Sequence, residues 1–198
     1  MEQNFEIEYK NLLNEEEYQR ILEAEFSDVE QSFIHQSNYY FDTENSDLKR
    51  QQSALRIRVT DSYHELTLKV PHQGFLMEYN HDLRDNDISE IINEKQLMLS
   101  SILSSDNNFP NLENITKDTI FYLFNSFRTE RLEKEVDDHL IVLDRTFYQD
   151  GTMDYELEIE SRDVTEGEKF FDLFLERYEI QRRPADPKIK RAEEHKSI

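Results

Sequence analysis

The first residues able to do chemistry stand almost at the start of the chain. In FEIEYK (5–10), Glu6, Glu8 and Lys10 fall on one parity and Phe5, Ile7 and Tyr9 on the other. As a strand, this segment has one apolar face and one face bearing two carboxylates and an ammonium. The same division recurs downstream. Arg56 and Arg58 alternate with Leu55, Ile57 and Val59; Glu65, Thr67 and Lys69 alternate with Leu66, Leu68 and Val70; Glu78 lies between Met77 and Tyr79. Arg128 and Glu130 share a parity, Asp144 follows Leu143, and Glu156, Glu158 and Glu160 alternate with Tyr155, Leu157 and Ile159. A half-wet antiparallel sheet also alternates, but the clustering of charges by sign weighs against it. Same-face neighbours two residues apart are only about 6.5–7 Å from one another, and like charges so placed gain nothing on an ordinary surface. Carboxylate clusters bind hard cations such as Mg²⁺ or Mn²⁺ through oxygen. Arginine grips phosphate in a bidentate fork, and lysine binds it as a point charge. Turned into a closed barrel, these faces would suit a metal-bound polyphosphate.

The elements that must position these residues follow from periodicity. Residues 14–26 predict a helix capped by Asn14, with Tyr18, Ile21, Leu22 and Phe26 as its apolar stripe. Strands are predicted over 4–12, 32–43, 53–61, 63–71 and 75–84, the last three joined by short turns as an antiparallel meander. A helix is expected over 87–104 and a loop after it. Strands return over 120–136, 139–149 and 152–161, then a helix over 164–179 and a short basic tail containing KIKRA (188–192). The fold class is α+β, mainly β: an antiparallel barrel enclosing charge, with helices packed outside. Its outward apolar faces would be covered by those helices or by a second subunit of a homodimer.

Composition bounds the rest. The 198 residues suit a single domain spanning 1–198. A formal net charge of −21 repels long nucleic acids, so any phosphate ligand must be held in a local cationic site. The absence of cysteine removes thiolate chemistry and disulfides, and fits a cytoplasmic location. The acidic N-terminus does not resemble a signal peptide, and no window is apolar enough to span a membrane. With 3 glycines and no Gly-rich loop, P-loop and dinucleotide fingerprints are excluded, and the six histidines show no HExxH spacing.

An ExExK opening strand, followed in order by YYFDT (39–43), ALRIR (54–58), LTLK (66–69), Glu78, FRTER (127–131), LDRTFY (143–148), ELEIE (156–160) and KIKRA, resembles the CYTH superfamily, the triphosphate tunnel metalloenzymes. That group includes class IV adenylate cyclases, thiamine triphosphatases, inorganic triphosphatases and fungal-type RNA triphosphatases. The resemblance implies an eight-stranded antiparallel barrel forming a tunnel, with acidic clusters for divalent metal and basic residues for a triphosphate. It implies Glu6, Glu8 and Lys10 as catalytic residues, the two glutamates also serving as metal ligands with Asp144. Within ELEIE, Glu158 and Glu160 are favoured as ligands, with Glu156 close behind. Lys10, Arg56, Arg58, Lys69 and Glu78 line the substrate in the first half of the chain. Arg128 or Arg131, of opposite parity, and Lys188 or Lys190 continue that set.

The expected activity is metal-dependent hydrolysis of a small-molecule triphosphate, inorganic or organic. The alternatives are a class IV-type adenylate cyclase acting on ATP, a non-catalytic polyphosphate or nucleotide-binding module, and a plain structural barrel.

Overall fold

A computed structural model describes residues 2–27, 33–73, 75–103, 110 and 112–196, with 2–6 and 75 described through their backbone alone. The chain divides into two compact units, one formed by 1–6 with 37–126, the other by 7–36 with 127–198.

In the first unit, β1 (Glu2–Glu6), β6 (Phe75–Asp82), β5 (His64–His72), β4 (Ala54–Val59) and β3 (Ile34–Asp42, from Ser37 on) form antiparallel neighbours in that order. The register places Leu55 opposite Phe41 and Leu68, and Ile57 opposite Tyr39 and Leu66. These apolar residues pack on Ile88 and Ile91 of α3 (Asp85–Glu94) and on Leu97, Leu99 and Phe121. Each such side chain, fully buried, contributes about 1.5–3 kcal/mol. A short helix, α2 (Asp47–Arg50), was not expected. Both carboxylate oxygens of Asp42 accept backbone N–H groups of that helix, Leu48 at 2.9 Å and Lys49 at 3.0 Å, while Leu48 enters the core.

The helix expected over 87–104 is corrected. Lys95 takes a left-handed conformation (φ 56°) and stops α3, after which β7 (Gln96–Met98) pairs antiparallel with Ile120–Tyr122, followed by a 3₁₀ turn over Leu99–Ser101. Leu97 and Leu99 are both buried. Their spacing of two suits a strand rather than a helix.

In the second unit, the later part of β8 (Ile120–Val136), then β9 (His139–Phe147), β10 (Met153–Ser161) and β2 (Glu8–Leu13), are antiparallel neighbours. Leu132, Ile141, Leu143, Leu157 and Ile159 form the apolar face, covered by α1 (Glu15–Phe26) and α4 (Val164–Arg177). Asn14 caps α1 as expected, through a reciprocal capping box with Glu17. Gly167 lets α4 approach the sheet: a Cβ there would lie 2.7 Å from both Ser161 Cβ and the Tyr9 ring. The tail holds a further helix, α5 (Lys188–Glu194). The segment leading to it is bound to β2 by Leu12 N–H donating to Arg183 O at 2.9 Å and by Asn11 bonding Gln181 O at 3.0 Å.

The opening strand expected over 4–12 is interrupted. Residues 2–6 pair with β6, whereas 8–13 pair with β10. The change falls at Ile7, whose carbonyl accepts Ser161 N–H at 3.0 Å. The architecture is otherwise the antiparallel, mainly β, α+β class that the alternation implied. Among the described residues no helix is long and apolar enough to cross a membrane.

Candidate active site

Strand pairing in the second unit brings distant residues onto one rung. Arg131 of β8 lies opposite Asp144 of β9, which lies opposite Glu156 of β10; one step along, Glu158 lies opposite Lys10 of β2. All five share the face turned away from the apolar core, yet that face is not wet. Asp144 and Glu156 are 0 % exposed and Glu158 is 3 % exposed. Carboxylates so buried must be paired. Arg131 donates from Nε and Nη2 to the two oxygens of Asp144, at 2.9 and 2.7 Å, and from Nη2 to Glu158 at 2.8 Å. Lys10 Nζ lies 2.7 Å from Glu8 and 3.2 Å from Glu158. From α5, Lys188 Nζ reaches Asp144 at 2.9 Å, Glu156 at 2.6 Å and Glu158 at 2.7 Å.

The electrostatics divide the carboxylates. Burial opposes the charge of Glu158, but Lys10, Lys188 and Arg131 outweigh it and hold this group well below the usual range. Burial likewise opposes Asp144, and Arg131 with Lys188 pulls it down. Burial pushes Glu156 up to about 7 against the pull of Lys188, with Glu158 adding to the rise. Burial also raises Glu160, and Arg131 offsets only part of that rise because Glu158 and Glu8 repel its charge. One oxygen from each of Asp144, Glu156 and Glu158 lies within 4.8 Å of the others, an all-oxygen donor set of the kind that suits a hard divalent cation.

The first unit carries a basic face built in the same way. Arg56, 9 % exposed, donates to Thr67 Oγ1 at 3.0 Å and lies 3.7 Å from Glu65. Its Nε is buried without a hydrogen-bond partner among the described residues. Arg58 Nε donates to Asn38 at 3.2 Å, and Lys69 Nζ lies 2.5 Å from Glu78. Burial opposes the charge of Glu78, but Lys69, with Arg56 behind it, holds this carboxyl below its ordinary value.

The expected residues with described side chains fall as follows. Glu8, Lys10, Asp144, Glu156, Glu158, Arg131 and Lys188 meet in one cluster. Glu160 is on the same face opposite Glu8 but outside the carboxylate trio. Arg128 is exposed, on the opposite parity to Arg131, and Lys190 is exposed and pairs with Asp186 at 2.8 Å. The side chain of Glu6 lies outside the described residues. Arg191 was missed: it lies 2.6 Å from Glu156 and donates to Asp154 at 2.7 Å, and Tyr148 OH also bonds Asp154. Once the tail is a helix the spacing finds it, because Arg191 stands three residues after Lys188 and shares its helix face, whereas Lys190 does not.

An antiparallel fold whose strands carry one apolar face and one buried face of paired carboxylates, arginines and lysines defines a distinct class of β protein. Within it, the chain belongs to the CYTH domain family, which matches residues 4–192. It is 36 % identical over 197 residues to YjbK of Bacillus subtilis, described as a proposed triphosphatase, covering 99 % of this chain and 98 % of that one. A crystal structure from Bacillus halodurans, described as a proposed adenylate cyclase, is 29 % identical with a TM-score of 0.79, covering 96 % of this chain and 98 % of that one. HpAC1 from Hippeastrum, described as a proposed adenylyl cyclase with a dominant triphosphatase activity, has a TM-score of 0.77 over 98 % of this chain and 97 % of its own. At 24 % identity, its likeness is one of fold.

Proposed function

We propose that the protein is a metal-dependent triphosphatase acting in the cytoplasm on inorganic triphosphate or a small organic triphosphate. The observation that carries this reading is the buried trio Asp144, Glu156 and Glu158, whose oxygens converge within 4.8 Å around the Lys188 ammonium. A single structural ion pair needs only one carboxylate, and a polyanion binder has little use for three clustered ones. A divalent cation held there would supply charge neutralisation for phosphoryl oxygens and a more acidic bound water. The chain's own residues do the remainder. Arg56, Arg58 and Lys69 hold phosphate oxygens, with Arg56 Nε a donor unmatched among the described residues. Lys10 and Lys188 supply further positive charge, and Arg131 fixes Asp144 and Glu158 in place. Glu8, 2.7 Å from Lys10, orients the attacking water. Phosphoryl transfer asks mainly for such positioning and neutralisation.

The relative at 36 % identity supports hydrolysis, and the structural relative at 29 % supports a cyclase as the second reading. Product analysis separates them. Purified protein is supplied with inorganic triphosphate, ATP and thiamine triphosphate, each with Mg²⁺ and with Mn²⁺. Metal-dependent phosphate release is expected; cyclic nucleotide would favour the second reading, and no product with any substrate would refute both.

A further inference from the structure

Lys188 occupies the place that a metal on the carboxylate trio would need. Its ammonium is within 2.6–2.9 Å of Asp144, Glu156 and Glu158, the three residues whose oxygens converge. Among the described cations it alone touches all three: Arg131 reaches Asp144 and Glu158, Lys10 reaches Glu158, and Arg191 reaches Glu156. It is also delivered differently. Lys10 and Arg131 belong to sheet strands, whereas Lys188 is the first residue of α5, a seven-residue helix reached through an irregular segment. The carboxylates of the cluster are already matched almost one for one by cations. A divalent ion added on top would leave excess positive charge in a buried space, unless one cation departed.

We propose that Lys188 is an internal stand-in for the metal, holding the three carboxylates together in the metal-free protein and being displaced from them when a divalent cation binds. The displaced ammonium then becomes free to pair with a phosphate oxygen. Metal and substrate would therefore enter in a coupled manner: metal binding releases the cation that the substrate uses, and the substrate's charge compensates the ejected lysine. Arg191 keeps α5 docked during the exchange through Asp154, which lies outside the trio, while its other guanidinium nitrogen stays 2.6 Å from Glu156. This inference rests on the metal-dependent reading given above, but it concerns the apo protein and is measurable without turnover.

The test is direct binding of Mn²⁺, without substrate, to the wild type and to Lys188→Gln, followed by the electron paramagnetic resonance of free Mn²⁺. Loss of a competitor from the same three ligands should tighten Mn²⁺ binding by about tenfold or more. In parallel, acetylation of Lys188 in the wild type, read by mass spectrometry, should accelerate as Mn²⁺ or Mg²⁺ saturates the protein. That second measurement decides the matter if Lys188→Gln does not fold. Equal Mn²⁺ affinity in the two proteins, or Lys188 labelling unchanged at saturation, overturns the exchange. If wild-type triphosphate hydrolysis accompanies that result, the proposed function stands and only the exchange is lost. Tighter Mn²⁺ binding in Lys188→Gln, with no hydrolysis of any triphosphate by the wild type, would keep the exchange and discard the triphosphatase.

Discussion

Asp144→Asn is the cleanest probe of how the acidic cluster is held. The side chain is fully buried and takes two hydrogen bonds from Arg131, at 2.9 and 2.7 Å, with Lys188 at 2.9 Å. The amide has the same shape, so packing is undisturbed, but one negative charge disappears between two buried cations. Removing one partner of a buried pair costs about 3–5 kcal/mol, and the retained amide oxygen places this change near the lower end, at about 3 kcal/mol. For a chain of this size, about 2–4 °C is lost per kcal/mol, so the melting temperature should fall by about 6–12 °C. The pH dependence gives an internal control. Arg131 and Lys188 outweigh burial and lower the pKa of Asp144 from an unfolded value of about 3.9. Its stabilisation is therefore complete above the unfolded value and lost as the pH falls through the folded one. The gap between wild type and variant should be full at neutral pH and close in acid, where a protonated aspartic acid resembles asparagine. Thermal melts in a chelator across that range make the comparison. A neutral-pH melting temperature equal to that of the wild type would refute the pairing.

Arg56→Ala should raise KM for triphosphate by about tenfold or more while costing only about 1 kcal/mol of stability, since its hydrogen bond among the described residues is to the Thr67 hydroxyl; steady-state kinetics and a denaturant melt check both, and a large stability loss would mark a structural arginine. Gly167→Ala should destabilise despite the better helix propensity, by about 1–2 kcal/mol in urea unfolding, because the 2.7 Å approach to Ser161 Cβ overpacks the α4–sheet contact. Glu25→Gln should remove part of the acid sensitivity of the fold: burial opposes this charge, but Lys134 and Tyr178 hold Glu25 below its ordinary range, so its stabilisation exists above the unfolded pKa and vanishes as the pH drops. Acid-unfolding curves that superimpose for variant and wild type would count against that role.

What the sequence made legible follows from strand parity. A period of two separates Glu156 and Glu158 from Leu157, or Arg56 from Leu55, before any coordinates exist, and the buried charged faces follow that division. Parity does not give register. The convergence of Arg131, Asp144 and Glu156 on one rung depends on which residues pair across β8, β9 and β10, so Arg128 and Arg131 could not be told apart. The partner change at Ile7 was hidden because Glu6 before it and Glu8 and Lys10 after it keep the same alternation in the sequence. Residues 96–104 misled because Leu97, Leu99 and Leu103 satisfy helical spacing in part, while the left-handed turn at Lys95 has no strong residue signature. Arg191 and the choice of Lys188 over Lys190 required the tail to be a helix, and seven residues after a proline give little periodicity to detect.

Glu158 stands at the centre of the account, touched by Lys10, Arg131 and Lys188. The most direct measurement is phosphate release from inorganic triphosphate by the wild type and Glu158→Gln, with and without Mg²⁺ or Mn²⁺, on protein shown to be folded by circular dichroism. The wild type should hydrolyse the substrate only with metal, and the variant should lose about a hundredfold in kcat/KM, or about 2.7 kcal/mol of transition-state stabilisation. Metal-independent release by the wild type, or a folded Glu158→Gln variant as active as its parent, would contradict a metal-dependent triphosphatase built on this cluster.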